Sequence, residues 1–366
     1  MTKYYSQLAL MMQEPAELTV ELQPRARFDA IDVRSRILAD FGDVLAEFPR
    51  AYFASLHTTA GYLEQRLATR LTRRTENGVD LYMDAFRSVF PEDAGYEHDK
   101  LELRTELTDD QRATEPRNAD SHLAFMASGL RACVSYRMTD EPVWFVDLDG
   151  VNAGQPRRRQ TTVLAYTHEV PVWRTRVTIP VSAHPMDSVN LRDPRIGFYE
   201  LLEDAIARYG VTKGRLRIEL DAEEHQAGLT VNEYETLLMR HDLMEVLHNP
   251  LKFMAEKGRH AWADPRSIPA KTRDYVKYDM VRVVNKLVDA LGLNESVIER
   301  LVAGAMAVPA ERLLRLKRAV NLLVSDRESP GHGTIIQGTY QSPILVQWKS
   351  AEGRARTVEI TLSSLG

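Results

Sequence analysis

Residues 215–228 read Arg-Leu-Arg-Ile-Glu-Leu-Asp-Ala-Glu-Glu-His-Gln-Ala-Gly, and this stretch decides the fold. Arg215 to Leu220 alternates charged and apolar side chains, the period of a strand with one face on a core. It runs into a polar turn that carries His225 and closes on Ala227-Gly228. Just upstream, Phe198 to Tyr209 has the apolar spacing of an amphipathic helix, and Arg176 to Val181 reads as a further strand. The same succession stands earlier in the chain. Leu18 to Leu22 alternates as a strand, Val33 to Phe48 carries a helical stripe, and the turn His57-Thr58-Thr59-Ala60-Gly61 follows. Val143 to Val146 and Thr161 to Leu164 add strands downstream.

Both halves also close alike. The first ends on Val143 to Val146, a turn at Gly154 to Pro156, the run Arg157-Arg158-Arg159 and a strand. The second ends on Gly338-Thr339-Tyr340-Gln341, a turn at Ser350 to Gly353, Arg354-Ala355-Arg356 and the strand Val358 to Leu362. An ordered set of elements recurs, which points to an internal repeat without a fixed period. Extra length in the second half lies between Pro250 and Pro330. Its apolar residues recur at helical spacing over Tyr275–Leu291, Val297–Met306 and Glu311–Val324, so residues 250–309 are expected to be a helical insertion.

Composition bounds the function classes. With 366 residues, 44% hydrophobic and 27% charged, the chain has the balance of a globular protein of about two domains, not a disordered one. A net charge of −5 supplies no basic field for nucleic acid. No run of 18 apolar residues is present, so no membrane span is expected. Glu14 and Glu17 come too early for a signal peptide, and a single cysteine, Cys133, excludes an internal disulfide and a cysteine zinc cage. A cytoplasmic location is expected. Phosphate-binding Walker loops, dinucleotide glycine fingerprints and Gly-x-Ser-x-Gly are all missing.

Short motifs at these places resemble the YjbQ-like family, small proteins described as secondary thiamine-phosphate synthases. The first half carries His57-Thr58-Thr59-Ala60-Gly61, Tyr96-Glu97-His98-Asp99 and Asn118-Ala119-Asp120-Ser121-His122. The second carries Leu229-Thr230-Val231-Asn232-Glu233, Arg240-His241-Asp242, Gly338-Thr339-Tyr340-Gln341 and Gly353-Arg354-Ala355-Arg356. The resemblance implies an α+β fold: two tandem YjbQ-like domains, 14–170 and 171–366, with antiparallel sandwich-like sheets and the helical insertion in the second. In the first half the family's Asn-Glu falls on Gln65-Arg66, and its Gly-Thr-Trp-Gln on Trp144-Phe145-Val146-Asp147. In the second half the motif histidine falls on Glu224. The Ser-His pair falls on Glu311-Arg312, by matching Val134–Arg137 to Val324–Arg327. The histidine set is therefore retained only in the first half.

The resemblance further implies that His57, His98 and His122 converge. Three imidazoles with an open position suit Zn²⁺ or another divalent metal and an activated water, or acid–base work; the plainer alternative is three ordinary hydrogen-bonded histidines. Glu97 and Asp120 are the neighbouring acid–base groups. Thr58 and Thr59 can hold a phosphate, or simply cap a tight connection. Arg157, Arg159, Arg354 and Arg356, with Gln341, are candidates for an anion, against the alternative of a solvated strand entry. The expected function is a metal-dependent transferase, lyase or hydrolase acting on a small phosphorylated metabolite, in a homo-oligomer that binds neither nucleic acid nor membrane. The alternative is a non-catalytic ligand-binding or scaffold protein. The split of motifs between halves further suggests a composite site, in which Gln341, Arg354 or Arg356 meets the His57 turn.

Overall fold

A computed structural model describes residues 14–73, 75, 77–104, 107–234, 241–248, 252–253 and 316–366. The chain divides into two compact units. One comprises residues 1–65, 130–233 and 317–366; the other comprises 66–129 and 234–316. The units thus cut across the sequence halves at 170, because strands from both halves share the first unit.

In the first unit the early half supplies β1 (Ala16–Leu22), β2 (Asp29–Asp32), α1 (Val33–Phe41), β3 (Arg50–Ser55) and β4 (Ala60–Tyr62). It continues with β5 (Cys133–Arg137), β6 (Trp144–Asp147), the short hairpin β7 (Val151–Asn152) and β8 (Gln155–Pro156), and β9 (Arg159–Tyr166). Helix α1 begins at Asp32, whose carboxylate accepts the Arg34 N–H, and ends at Gly42, so it is shorter than the stripe to Phe48 implied. The late half supplies β10 (Glu169–Pro180), β11 (Asp187–Asn190), β12 (Gly214–Leu220), β13 (Ala227–Glu233), β14 (Ala319–Ser325), β15 (Thr334–Ile336), β16 (Gln341–Gln347) and β17 (Ala355–Leu365).

Among the described residues all pairings are antiparallel, and the strand orders correspond apart from β15, which the late half adds. The early half forms β1-β9-β3-β5 and β2-β6-β4; the late half forms β10-β17-β12-β14-β15 and β11-β16-β13. The early core gathers Val20, Phe53, Val163, Tyr62 and Phe145 from both its sheets, with Val33 and Ile37 from α1. The late core does the same with Ile218, Ile360, Leu229 and Leu345, under Phe198, Leu202 and Ile206 of the helix Phe198–Arg208. Alternation of apolar and polar residues produces this, since a strand sends successive side chains to opposite faces.

The second unit has helices α2 (Gln65–Thr72), α3 (Gly78–Val89), α4 (Asp109–Thr114) and α5 (Ala119–Ser128), to which Leu243–His248 adds one more. The fold is therefore mixed α+β with several antiparallel sheets. Among the described residues no helix is long and apolar enough to cross a membrane.

Pairing registers correct two sequence alignments. Ala60 stands opposite Asp147 and Ala227 opposite Gln347, so Asp147 corresponds to Gln347 and not to Gln341. Cys133 faces Ala54 and Ala319 faces Glu219, which matches Val134 to Val320 rather than to Val324. The same strand replaces the end of the expected helix Glu311–Val324, because Ala319–Ser325 is held by ladders on both sides. Residues 254–309 of the expected insertion, and Glu311-Arg312, lie outside the described residues.

Candidate functional site

Two polar clusters stand out, one in each unit. In the first unit the chain reverses between β3 and β4 at Ser55–Thr59. The Ser55 hydroxyl donates to Ala60 O at 2.6 Å and accepts the His57 N–H at 3.2 Å. From the late half, buried Gln341 clasps this turn: its Nε2 donates to Ser55 O at 3.0 Å and His57 O at 2.8 Å. Its Oε1 accepts the Gly338 N–H at 2.9 Å. Thr58 donates to Glu233 at 3.4 Å. Gln341 therefore meets the His57 turn, as a composite arrangement of the two halves requires.

The His57 ring accepts the Gln160 N–H on Nε2 at 2.9 Å, so its single proton sits on Nδ1. Burial and the neighbouring Arg159 and Arg157 push its pKa down to about 3, and the ring is neutral. Arg159 is bound on several sides. It grips Asp147 at 2.6 and 2.9 Å and donates to Asp149 O at 2.7 Å and Thr59 at 3.4 Å. Burial raises the Asp147 carboxyl against the pull of Arg159. Arg157 pairs with Asp149, and Arg158 points to solvent.

Arg354 and Arg356 stand elsewhere, at the late half's own turn. Arg354 is exposed, with φ of 54° beside Gly353. Arg356 donates to Glu224 at 2.8 Å, His225 O at 2.8 Å, Gln347 at 3.2 Å and Lys349 O. Glu224 accepts the Thr357 N–H at 2.7 Å, just as His57 accepts that of Gln160. The Arg356 guanidinium is matched to protein acceptors, and the Arg354 and Arg356 side chains bond nothing on the His57 turn among the contacts described.

In the second unit Asp242 is buried and accepts the N–H groups of Glu97 and His98, each at 3.0 Å. Burial raises its carboxyl above the ordinary value. The His98 ring is fully buried and lies 3.2 Å through Nδ1 from Asp99, whose same oxygen accepts the Ala119 N–H at the start of α5 at 3.0 Å. His98 Nε2 has no hydrogen-bond partner. His122, buried on α5, stacks obliquely on His98 with centroids 5.3 Å apart. Asp120 is buried on the same helix, and Glu97 is ion-paired with Lys100, which lowers its pKa. His98 and His122 therefore lie together, while His57 belongs to the other unit.

Among the described residues no group of three or more His, Cys, Asp or Glu is arranged to hold a metal ion. Sequence reading gave Asp242 a structural part, took Asp99 as a partner of the histidines or a solvated loop residue, and gave Asp147 no role. Only adjacency to His241 could have signalled Asp242, and no local pattern signals Asp147.

No protein-family model matches the chain, and no curated protein does. Solved structures do match. A YbjQ-like protein of unknown function from Sulfolobus solfataricus P2 aligns over 54% of this chain and 99% of its own, at 13% identity and a TM-score of 0.28. A hypothetical protein from Aeropyrum pernix K1 aligns over 52% and 96%, at 14% identity and a TM-score of 0.25. An uncharacterized conserved protein of the YjbQ/UPF0047 family from Clostridium acetobutylicum covers 51% and 98%, at 13% identity and a TM-score of 0.26. Over about half its length, the chain is similar to YjbQ-like proteins.

Proposed function

We propose that the chain is an enzyme that moves a proton on a small metabolite, with His98 as the general base. One observation carries the reading: a fully buried imidazole whose Nδ1 faces a carboxylate and whose Nε2 bonds nothing. Leaving a buried polar atom unpartnered costs roughly 1–3 kcal/mol, which a structural histidine would avoid. The Asp99 contact fixes the tautomer with its proton on Nδ1 and its lone pair on Nε2, the arrangement of an oriented base. His122 packs on that ring. The phosphorylated substrate class follows from the family resemblance. Corresponding strand orders in the two halves, apart from the added β15 of the late one, support their origin by duplication.

Nitrogen-resolved NMR of the imidazoles tests the tautomer: Nε2 of His98 should be the unprotonated nitrogen, and a protonated Nε2 overturns the assignment. A thermal-shift screen with phosphorylated metabolites then seeks a ligand that raises the melting temperature. His98→Gln should abolish turnover of that ligand while Asp99→Asn shifts the pH profile. Full turnover by His98→Gln would overturn His98 as the base, and a ligand that binds the parent chain without being turned over would leave the second reading, a binding protein without catalysis, which the enclosure of His98 favours.

A further inference from the structure

The two halves finish their sheets differently beside the helix that each carries. In the late half β15 lies along β14, with Val324 opposite Ile335. Gly333, which leads into β15, is wedged in tightly. A Cβ there would lie 1.9 Å from Val211 O and 2.8 Å from the Val324 side chain. Ile335 packs on the late core, to which Ile206 of the helix Phe198–Arg208 belongs. The strand β15 therefore plugs the space between the end of that helix and β14.

The early half lacks this plug. Val134 corresponds to Val320, so further along the same strand Met138 corresponds to Val324. The Met138 N–H donates to Pro49 O at 3.0 Å, which keeps it in the register of the ladder. Among the described residues no strand pairs with the far edge of β5. The Gln65 amide closes that edge at Arg137 instead, accepting its N–H at 3.0 Å and donating to its O at 2.9 Å. Past Arg137 a cavity of about 310 Å³ stays open between α1 and Met138–Asp140. Its apolar lining is Ile37, Leu45 and Phe48, all buried, with partly buried Met138. Its rim is charged. Arg34 donates to Asp140 at 2.9 Å, and Asp43 also lines the opening. Asp140 is fully exposed, and an ion pair so placed stabilises a fold little.

We infer that this cavity binds a free aliphatic α-amino acid of leucine's size. The side chain takes the apolar seat that Ile335 fills in the late half, and the volume lies at the lower end of small-ligand sites. The α-carboxylate lies on Arg34, whose planar guanidinium has further N–H groups for a two-pronged contact. The α-ammonium lies on Asp140. A zwitterion thus opens the Arg34–Asp140 pair and gives each charge a new partner. Other charge states fit less well. A fatty acid would bring a carboxylate to Asp43 and Asp140 with nothing to offer them, and a simple amine would leave Arg34 facing a like charge.

Isothermal titration calorimetry of the full chain with L-leucine tests this, beside 4-methylpentanoate and 3-methylbutylamine, which each lack one of its charges. L-Leucine should bind, and each analogue should bind about tenfold more weakly or worse, the worth of one charge-assisted hydrogen bond. Arg34→Gln should cost L-leucine a similar factor without weakening the amine. Met138→Trp should fill the cavity and abolish binding of all three. No binding of L-leucine at roughly 10 mM, where a ligand with a Kd of about 1 mM would fill most sites, overturns the inference. An analogue that binds as tightly as L-leucine overturns it too. So does L-leucine binding that survives in a Met138→Trp variant with the parent's circular dichroism spectrum. Should that variant fail to fold, Arg34→Gln decides, since it changes a side chain at the rim: undiminished L-leucine binding overturns the inference.

Discussion

Replacing Asp147 by Gln tests the reading of the first-unit turn most sharply, because the late half already shows the outcome of that exchange. Asp147 is fully buried and holds Arg159, itself 3% exposed, by two short bonds. Asp147→Gln removes the charge and leaves Arg159 with Thr59 and Asp149 O. Breaking one side of a buried pair costs roughly 3–5 kcal/mol, a large share of the 5–15 kcal/mol typical of a whole domain. In the late half a glutamine stands at this place, and the charge comes instead from Glu224, which occupies the position of His57. His57→Glu on the Asp147→Gln background should therefore return about 1.5–3 kcal/mol, the worth of a charge-assisted hydrogen bond. His57→Glu alone should stabilise nothing, since it sets a second carboxylate beside Asp147. Urea unfolding of the four proteins, compared at equal slope, gives the coupling energy. A double variant no more stable than Asp147→Gln would refute the equivalence of the two turns.

Protonation of His57 should weaken the fold. Its pKa in the folded chain is about 3, against an ordinary value of 6.5, so between those values the unfolded chain binds the extra proton. Stability should then be lost as pH falls below 6.5, by at most about 1.4 kcal/mol per unit, and His57→Gln should flatten that part of the profile in urea unfolding. Cys133 is buried, with its thiol pushed up to about 12, so a disulfide reagent should react only after unfolding. Asp242→Ala leaves the Glu97 and His98 amides without their acceptor, and their hydrogen exchange should quicken ahead of α5.

Strands were legible wherever one face was buried: Leu18–Leu22, Arg215–Leu220 and Thr161–Leu164 alternate because a pleated strand on a core must. Ala319–Ser325 was not, since Leu322-Leu323 packs on two different clusters and fills both faces, which destroys the period of two. The His98–His122 pair was legible through its motifs. Its supports were not, because Asp242 reaches the Glu97-His98 amides across 144 residues of sequence and no local pattern encodes that distance. The arginine runs were misleading for a related reason. Arg157, Arg159 and Arg356 look like an anion site until their partners are seen, and those partners come from other strands and turns.

The correspondence of His57 with Glu224 also divides the chemistry between the halves. Each accepts a backbone N–H from the residue after a buried arginine, Gln160 in one case and Thr357 in the other. In the early half the charge that neutralises the arginine sits on a strand, at Asp147, so position 57 need carry none. A neutral ring fits there, with one nitrogen used and a proton left on the other. In the late half strand position 347 is a glutamine, and the charge must come from the turn. Glu224 then has one oxygen on Thr357 and the other on Arg356, and as a carboxylate it has no proton to donate. Moving a single carboxylate from turn to strand is what leaves a donor at the early turn and removes it from the late one.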